Sequence, residues 1–284
     1  MKTILEHSFA KINLCLDIKN KREDGYHILD MVMVPVELHD SILIKELHGP
    51  DNFITIDDFS IDQQGNNIVT KAIELLANKY NFTTKFRVDI HKVTPMQAGL
   101  GGGSSDAAYT MKAVNKLLKL GISDSELATL ASSIGADVPF FISTQPARCT
   151  GIGDIIQPIN IKNDYHVLIV KPEFGCSTKQ IYDLYDSMPP SHGNVDNVVK
   201  ALEEGNDDLL AESIFNVLEA PAISICPEIQ QIKNKLKDAG FKIVLMSGSG
   251  SSVFALSKDV KLIHRVAAQL EDKYTVVATK IMKG

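Results

Sequence analysis

The stretch PMQAGLGGGSSDAA, Pro95 to Ala108, constrains this chain more than any other. It places four glycines, two serines and an aspartate between two regular patterns. Before it, Phe86, Val88 and Ile90 alternate as in a strand; after it, Ala107, Ala108, Met111, Val114, Leu117 and Leu118 recur at helical spacing. A strand, a glycine loop and a helix in that order bring main-chain N–H groups and a positive helix end to one place with little side-chain bulk, which suits a polyanion.

Two common phosphate loops are excluded. A P-loop needs GxxxxGK[ST], and the chain contains no Gly-Lys pair. A dinucleotide fingerprint needs GxGxxG, but Ser104-Ser105-Asp106 follow Gly101-Gly102-Gly103. What remains is a different cradle, to which Ser104 and Ser105 could add hydroxyl donors, or a connector whose serines cap a helix. The run from Gly99 to Gly103 favours the cradle, because each glycine costs backbone entropy that capping does not require. Asp106 is the awkward member, since a carboxylate repels phosphate. First-turn capping is the blander reading for it, and a place near a metal ion is the other.

The 284 residues suit two domains, and 44% hydrophobic with 23% charged residues fits a folded protein. A net charge of −6 without a long block of one sign argues against a nucleic-acid partner. Cys15, Cys149, Cys176 and Cys226 form no CxxC pair and the histidines no HExxH, so no metal site is expected and the thiols read as reduced. MKTILEHSFAKIN lacks the apolar run of a signal peptide, and no stretch is apolar enough to span a bilayer. The expectation is a cytoplasmic protein without a membrane partner.

Ile12, Leu14, Leu16 and Ile18 predict a half-buried strand, with Lys11 and Asn13 on its other face. Asp24-Gly25 predicts a turn, and Met31–Leu38 and Ile42–Ile44 two further strands. A helical stripe from Ile68 to Leu76 follows Gly65-Asn66, and a helix is expected over about 124–134. Later, a strand at Val167–Val170, a helix ending near Gly240, strands at Ile243–Met246 and Val253–Leu256, a helix through Leu270 and a final strand predict β-α-β-β-α-β, interrupted by a helical insertion at about 178–218. The fold expected is α+β in two domains, residues 1–155 β-rich and residues 156–284 ferredoxin-like. Asp137, in GADVPFF, stands where a helix has just ended. A lysine and an aspartate near a phosphate cradle could activate a hydroxyl. Taken alone, a lysine on a strand is usually a solvated or salt-bridged residue, and an aspartate at a helix end usually a cap or turn residue.

AKINLCL, DGYH, PMQAGLGGGSSDAA, GADVPFF and SGSGSSVFAL occur in that order across nearly the whole chain. Together they resemble the GHMP small-molecule kinases. The combination of AKINL, DGYH and GLGGGSSDAA is narrower. It resembles members that use ATP to phosphorylate the 2-hydroxyl of a cytidine-diphosphate-linked methylerythritol, in the non-mevalonate route to isoprenoid precursors. The resemblance implies a two-domain fold with an active site in the cleft between domains. It makes Asp137 the general base and Lys11 its charged partner. Asn13, Tyr26, His27, Thr178 and Tyr182 would hold the substrate, with Tyr182 as an aromatic lid on the cytosine. Pro95, Gly99, Leu100, Gly101, Gly102, Gly103, Ser104 and Ser105 would hold the ATP phosphates, and Asn67 would lie near the adenine.

Magnesium (Mg2+) is expected to arrive with ATP, without a dedicated carboxylate cage. A monomer or weak homodimer is expected. Ser8-Phe9 replace a small residue and a proline of the common APAKINL, Gly248–Ser252 reads GSGSS instead of GSGPT, and Met33 stands where an aromatic can close the cytidine pocket. The alternatives are a GHMP-type kinase of another small alcohol, such as mevalonate or homoserine, and a non-catalytic nucleotide sensor on the same fold.

Overall fold

A computed structural model describes residues 2–57 and 67–283. Gly65-Asn66, which precedes the helical stripe in the sequence, lies outside the described residues. The chain opens with two long strands, β1 (Thr3–Lys21) and β2 (His27–Leu47). The turn between them is closed by Arg22 N–H donating to the Tyr26 carbonyl at 2.7 Å, and Gly25 takes φ 88°, which favours glycine. Then follow β3 (Phe53–Ile56), α1 (Ile68–Tyr80), β4 (Lys85–His91), α2 (Gly102–Leu118), α3 (Asp124–Ala131) and α4 (Phe140–Ser143). The hairpin β5 (Ala147–Gly151) and β6 (Ile155–Pro158) leads to β7 (His166–Lys171). A largely helical stretch holds α5 (Thr178–Tyr185), α6 (Val195–Glu204), α7 (Asp207–Ser213), the two-residue β8 (Phe215–Asn216) and α8 (Glu219–Ile225). The chain ends with α9 (Glu228–Asp238), β9 (Ile243–Met246), β10 (Val253–Ser257), α10 (Val260–Leu270) and β11 (Thr275–Lys280).

Contacts divide the chain into two compact units, each built from several stretches. The first comprises 1–10, 39–94 and 101–144; the second comprises 11–38, 95–100 and 145–284. In the first, β4 pairs antiparallel with Ser41–Leu47 of β2 and parallel with β3. Helix α2 packs on α1 and α4. Its apolar stripe of Ala107, Ala108, Met111, Val114 and Leu117 is buried, as are Ala72, Ile73 and Leu76 of α1 and Phe140 and Phe141 of α4. Each of the larger side chains contributes about 1.5–3 kcal/mol by leaving water.

In the second unit, Leu29–Met33 of β2 pair with β5, and β8 adds to β1 through Cys15–Phe215 and Leu16–Asn216. A separate four-stranded sheet has the order β11-β7-β10-β9, all antiparallel between neighbours. With α9 and α10 as its two helices, this is the expected ferredoxin-like plan.

The local differences from expectation have physical causes. Every residue from Ala10 to Ile18 is buried, so this part of β1 is covered on both faces rather than half-exposed. The strands expected at 31–38 and 42–44 are one strand, within which Asp40 is fully buried and paired with Lys92. The helix expected over 124–134 ends at Ala131 and continues to Ile134 as turns.

Candidate active site

The glycine loop has a regular backbone. Left-handed φ recurs at every second residue, at Gln97 (49°), Gly99 (72°) and Gly101 (72°). Alternation of this kind turns successive N–H groups toward one concave side, the geometry of an anion nest. Gly101 is the N-cap of α2 and makes no side-chain cap bond. The N–H groups of the first helical turn therefore have no intrahelical or cap acceptor, and the helix dipole adds positive potential there. A Cβ on Gly103 would meet nothing closer than Ile68 Cγ2 at 4.0 Å. The residues present fit a phosphate chain.

A second glycine loop, the β9–β10 connection, backs the first. Ser251 and Ser252 N–H donate to the Gln97 and Ala98 carbonyls, both at 3.3 Å, and Ser247 Oγ donates to the Gly99 carbonyl at 2.9 Å. A Cβ on Gly99 would lie 2.0 Å from the Ser247 carbonyl oxygen, so this position admits only glycine. Asn216, which sequence reasoning missed, holds the second loop from beneath: Nδ2 donates to the carbonyls of Met246 (2.9 Å) and Gly248 (2.8 Å). Gly248–Ser252 is thus a β-hairpin turn, and also the support of the first glycine loop.

Lys11 and Asn13 sit beside these loops. Lys11 N–H donates to the Leu100 carbonyl (3.0 Å), and Lys11 Nζ donates to Asn13 Oδ1 (2.6 Å). Asn13 N–H reaches Ser247 Oγ at 3.3 Å. Both side chains are buried, so the polar face of β1 is reserved for polar partners. Leu100 is buried, while Pro95 is half-exposed at the loop entrance.

The first turns of α2 correct two expectations. The Ser105 hydroxyl is fully buried and donates to the Phe9 carbonyl at 2.7 Å, so it anchors α2 to β1 rather than facing outward; Ser104 is half-exposed. Asp106 does not cap the helix. It lies within it, buried, accepting from Ser8 Oγ (2.7 Å) and Lys92 Nζ (2.8 Å). Lys92 also bonds Asp40 Oδ2, whose other oxygen accepts the N–H groups of Val93 and Thr94, each at 2.6 Å. Two carboxylates share one ammonium. Burial pushes the Asp106 carboxyl up to about 6, with the Asp40 charge adding to the rise against the pull of Lys92. Burial works against the Lys92 ammonium, but the charges of Asp106 and Asp40 outweigh it and raise its pKa.

Asn67 caps α1, its Oδ1 accepting from Val69 N–H at 2.8 Å. Asp137 is half-buried in the turn between α3 and α4, where Val138 N–H donates to the Gly135 carbonyl at 3.1 Å.

Of the expected substrate side chains, His27 and Tyr182 meet in a second cluster. The His27 ring lies 4.9 Å from that of Tyr182 and 6.4 Å from that of Tyr185. Its Nε2 bonds Asp186 Oδ1 at 2.7 Å, and Asp186 also accepts from Lys21 Nζ at 2.5 Å. Burial raises the Asp186 pKa, but the bonds from Lys21 and His27 prevail and hold it below the usual carboxylate range. Tyr26 is 58% exposed beside His27 at the start of β2. Thr178, at the start of α5, shares a 2.9 Å hydrogen bond with Ser249 of the second glycine loop. Lys21, Tyr185 and Asp186 carried no motif signal; their spacing is ordinary for a turn and a helix.

Comparison with known proteins places this geometry. The profile of the GHMP kinases N terminal domain matches residues 67–145, and that of the GHMP kinases C terminal domain matches residues 198–276. A Clostridium botulinum (strain Loch Maree / Type A3) protein named 4-diphosphocytidyl-2-C-methyl-D-erythritol kinase is 39% identical over 276 residues, covering 96% of this chain and 98% of that one. The crystal structure of a 4-(cytidine 5'-diphospho)-2C-methyl-D-erythritol kinase superposes with a TM-score of 0.81 at 28% identity, over 99% of this chain and all of that one. Homoserine kinase from Cytophaga hutchinsonii shares the fold, with a TM-score of 0.79 at 18% identity over 100% of this chain and 96% of that one. With both family domains matched and a relative this similar over nearly its whole length, the chain belongs to the GHMP kinases.

Proposed function

We propose that this protein transfers the γ-phosphoryl group of ATP to the 2-hydroxyl of 4-diphosphocytidyl-2-C-methyl-D-erythritol. The observation that carries the reading is near full-length similarity to kinases of that name, in a chain whose glycine loop has the backbone of an anion nest. The nest and the open start of α2 bind the phosphates, and magnesium comes with them, supplying charge neutralisation between the phosphate groups. The protein's own work is positioning. Asp137 accepts the proton of the attacking hydroxyl. Lys11, oriented by Asn13, offsets charge that develops at the acceptor. Tyr26, His27 and Tyr182 read the cytosine by stacking and hydrogen bonding, Thr178 lines that pocket, and Asn67 lies near the adenine.

The test is ATP-dependent phosphorylation of a panel of alcohols by the purified protein. The cytidine-linked alcohol is expected to be used with a kcat/KM at least about a hundredfold above methylerythritol phosphate, mevalonate or homoserine. A site whose polar groups are built for the base rejects ligands without it. Equal use of a non-cytidine alcohol would reduce the assignment to a GHMP kinase of another substrate.

A further inference from the structure

The group left without a function is the buried charge cluster behind the phosphate loop. Lys92 and Asp106 come from the two segments flanking that loop, and Asp40 comes from β2. Asp40 Oδ1 accepts both Val93 and Thr94 N–H and so holds the strap 92–94 that leads into the loop. Asp106 lies one turn into α2, which leads out of it. Lys92 Nζ donates to both carboxylates and joins the two flanks. The fit is close: a Cβ on Gly102, the first residue of α2, would lie 3.0 Å from Thr94 Cγ2 and 3.3 Å from Lys92 Nζ. A shift of the strap would therefore shift the first helical residue. The Lys92 side chain is 8% exposed with two of its three donors engaged inward, so its reach is toward the protein.

We propose that Lys92 is a positioning residue for phosphate binding. By satisfying Asp40 and Asp106 together, it holds the first turn of α2 with its N–H groups toward the ATP phosphates, without touching the ligand. The role rests on the ATP reading above. Removing the ammonium would leave two buried carboxylates with no cation, which repel each other and any anion at the helix start. Removing one carboxylate as well restores the original charge balance.

The experiment is equilibrium binding of a non-hydrolysable ATP analogue, and separately of the cytidine-linked alcohol, to the wild type, Lys92→Met and Lys92→Met/Asp106→Asn. The single variant should bind the analogue at least tenfold more weakly and the alcohol within twofold of wild type. The double variant should return to within threefold of wild type for the analogue. Unchanged analogue binding by Lys92→Met overturns the role, as does equal weakening for both ligands, which marks a purely structural effect. A double variant as weak as the single one also overturns it, because Lys92 would then touch the phosphates itself. If Lys92→Met does not fold, the double variant decides against wild type on the same threefold and tenfold limits. A wild type that binds no ATP analogue overturns the ATP reading and this role with it; a wild type that binds while the variants behave otherwise than stated overturns the role alone.

Discussion

The glycine loop and the cluster of His27, Tyr182 and Asp186 are built by opposite means. In the loop the groups proposed to bind phosphate are main-chain N–H, and the side chains that matter are those that are absent. Gly99 is required because a second backbone occupies the space of its Cβ. In the cluster the groups proposed to recognise the substrate are rings and one carboxylate, and His27 meets Tyr182 and Asp186 across more than 150 positions of sequence. A backbone site tolerates almost any neighbour but no side chain at its key positions. A side-chain site tolerates backbone variation but depends on each ring. ATP binding and acceptor choice should therefore fail separately when mutated.

The largest effect should come from outside both regions and set the scale for them. Asp137→Asn keeps the shape of the side chain and loses the proton acceptor, so kcat should fall by about 10²–10⁴-fold with both ligand affinities retained. Single-turnover kinetics check this, and near-normal turnover by the folded variant would remove Asp137 from its role. Next, Gly99→Ala should raise the KM for ATP at least about tenfold. It adds left-handed strain of about 1–3 kcal/mol to the clash with the Ser247 carbonyl, while acceptor affinity stays within a few-fold. A variant with unchanged ATP KM would break the backbone half of the comparison.

Tyr182→Ala tests the other half. Loss of base stacking should weaken the cytidine substrate by about 1–3 kcal/mol and leave ATP binding unaltered. A parallel loss of ATP affinity in isothermal titration would show that the two regions are one energetic unit. The smallest effect is on stability. The folded pKa of Asp106, about 6, lies above its ordinary 3.8, so the folded state retains a proton that the unfolded chain releases. That contribution is complete below pH 3.8 and is lost as pH rises through 6. Melting temperatures of wild type and Asp106→Asn should therefore diverge over this window, the wild type falling relative to the variant; parallel curves would contradict the raised pKa.

The same contrast explains what was legible in the sequence. Glycine spacing marked the special backbone of the Gly99–Gly103 loop, since φ near +70° and a 2.0 Å approach leave only one residue type at Gly99. The ferredoxin-like order was legible because its strands are short apolar runs bounded by clear turns. The roles of Ser105 and Asp106 were not, because their partners lie elsewhere in the chain: the Phe9 carbonyl for one, Ser8 and Lys92 for the other. The left-handed Gln97 carries no compositional mark, and Asn216 sits in a two-residue strand too short for any periodicity. Local backbone demands are written locally; side-chain partnerships depend on the finished fold.

The most direct test of the account is a crystal structure with a non-hydrolysable ATP analogue and magnesium. Phosphate oxygens are expected within hydrogen-bond reach, about 2.7–3.2 Å, of main-chain N–H groups in Gly99–Ser104. Phosphates bound anywhere else, with this loop empty, would contradict it.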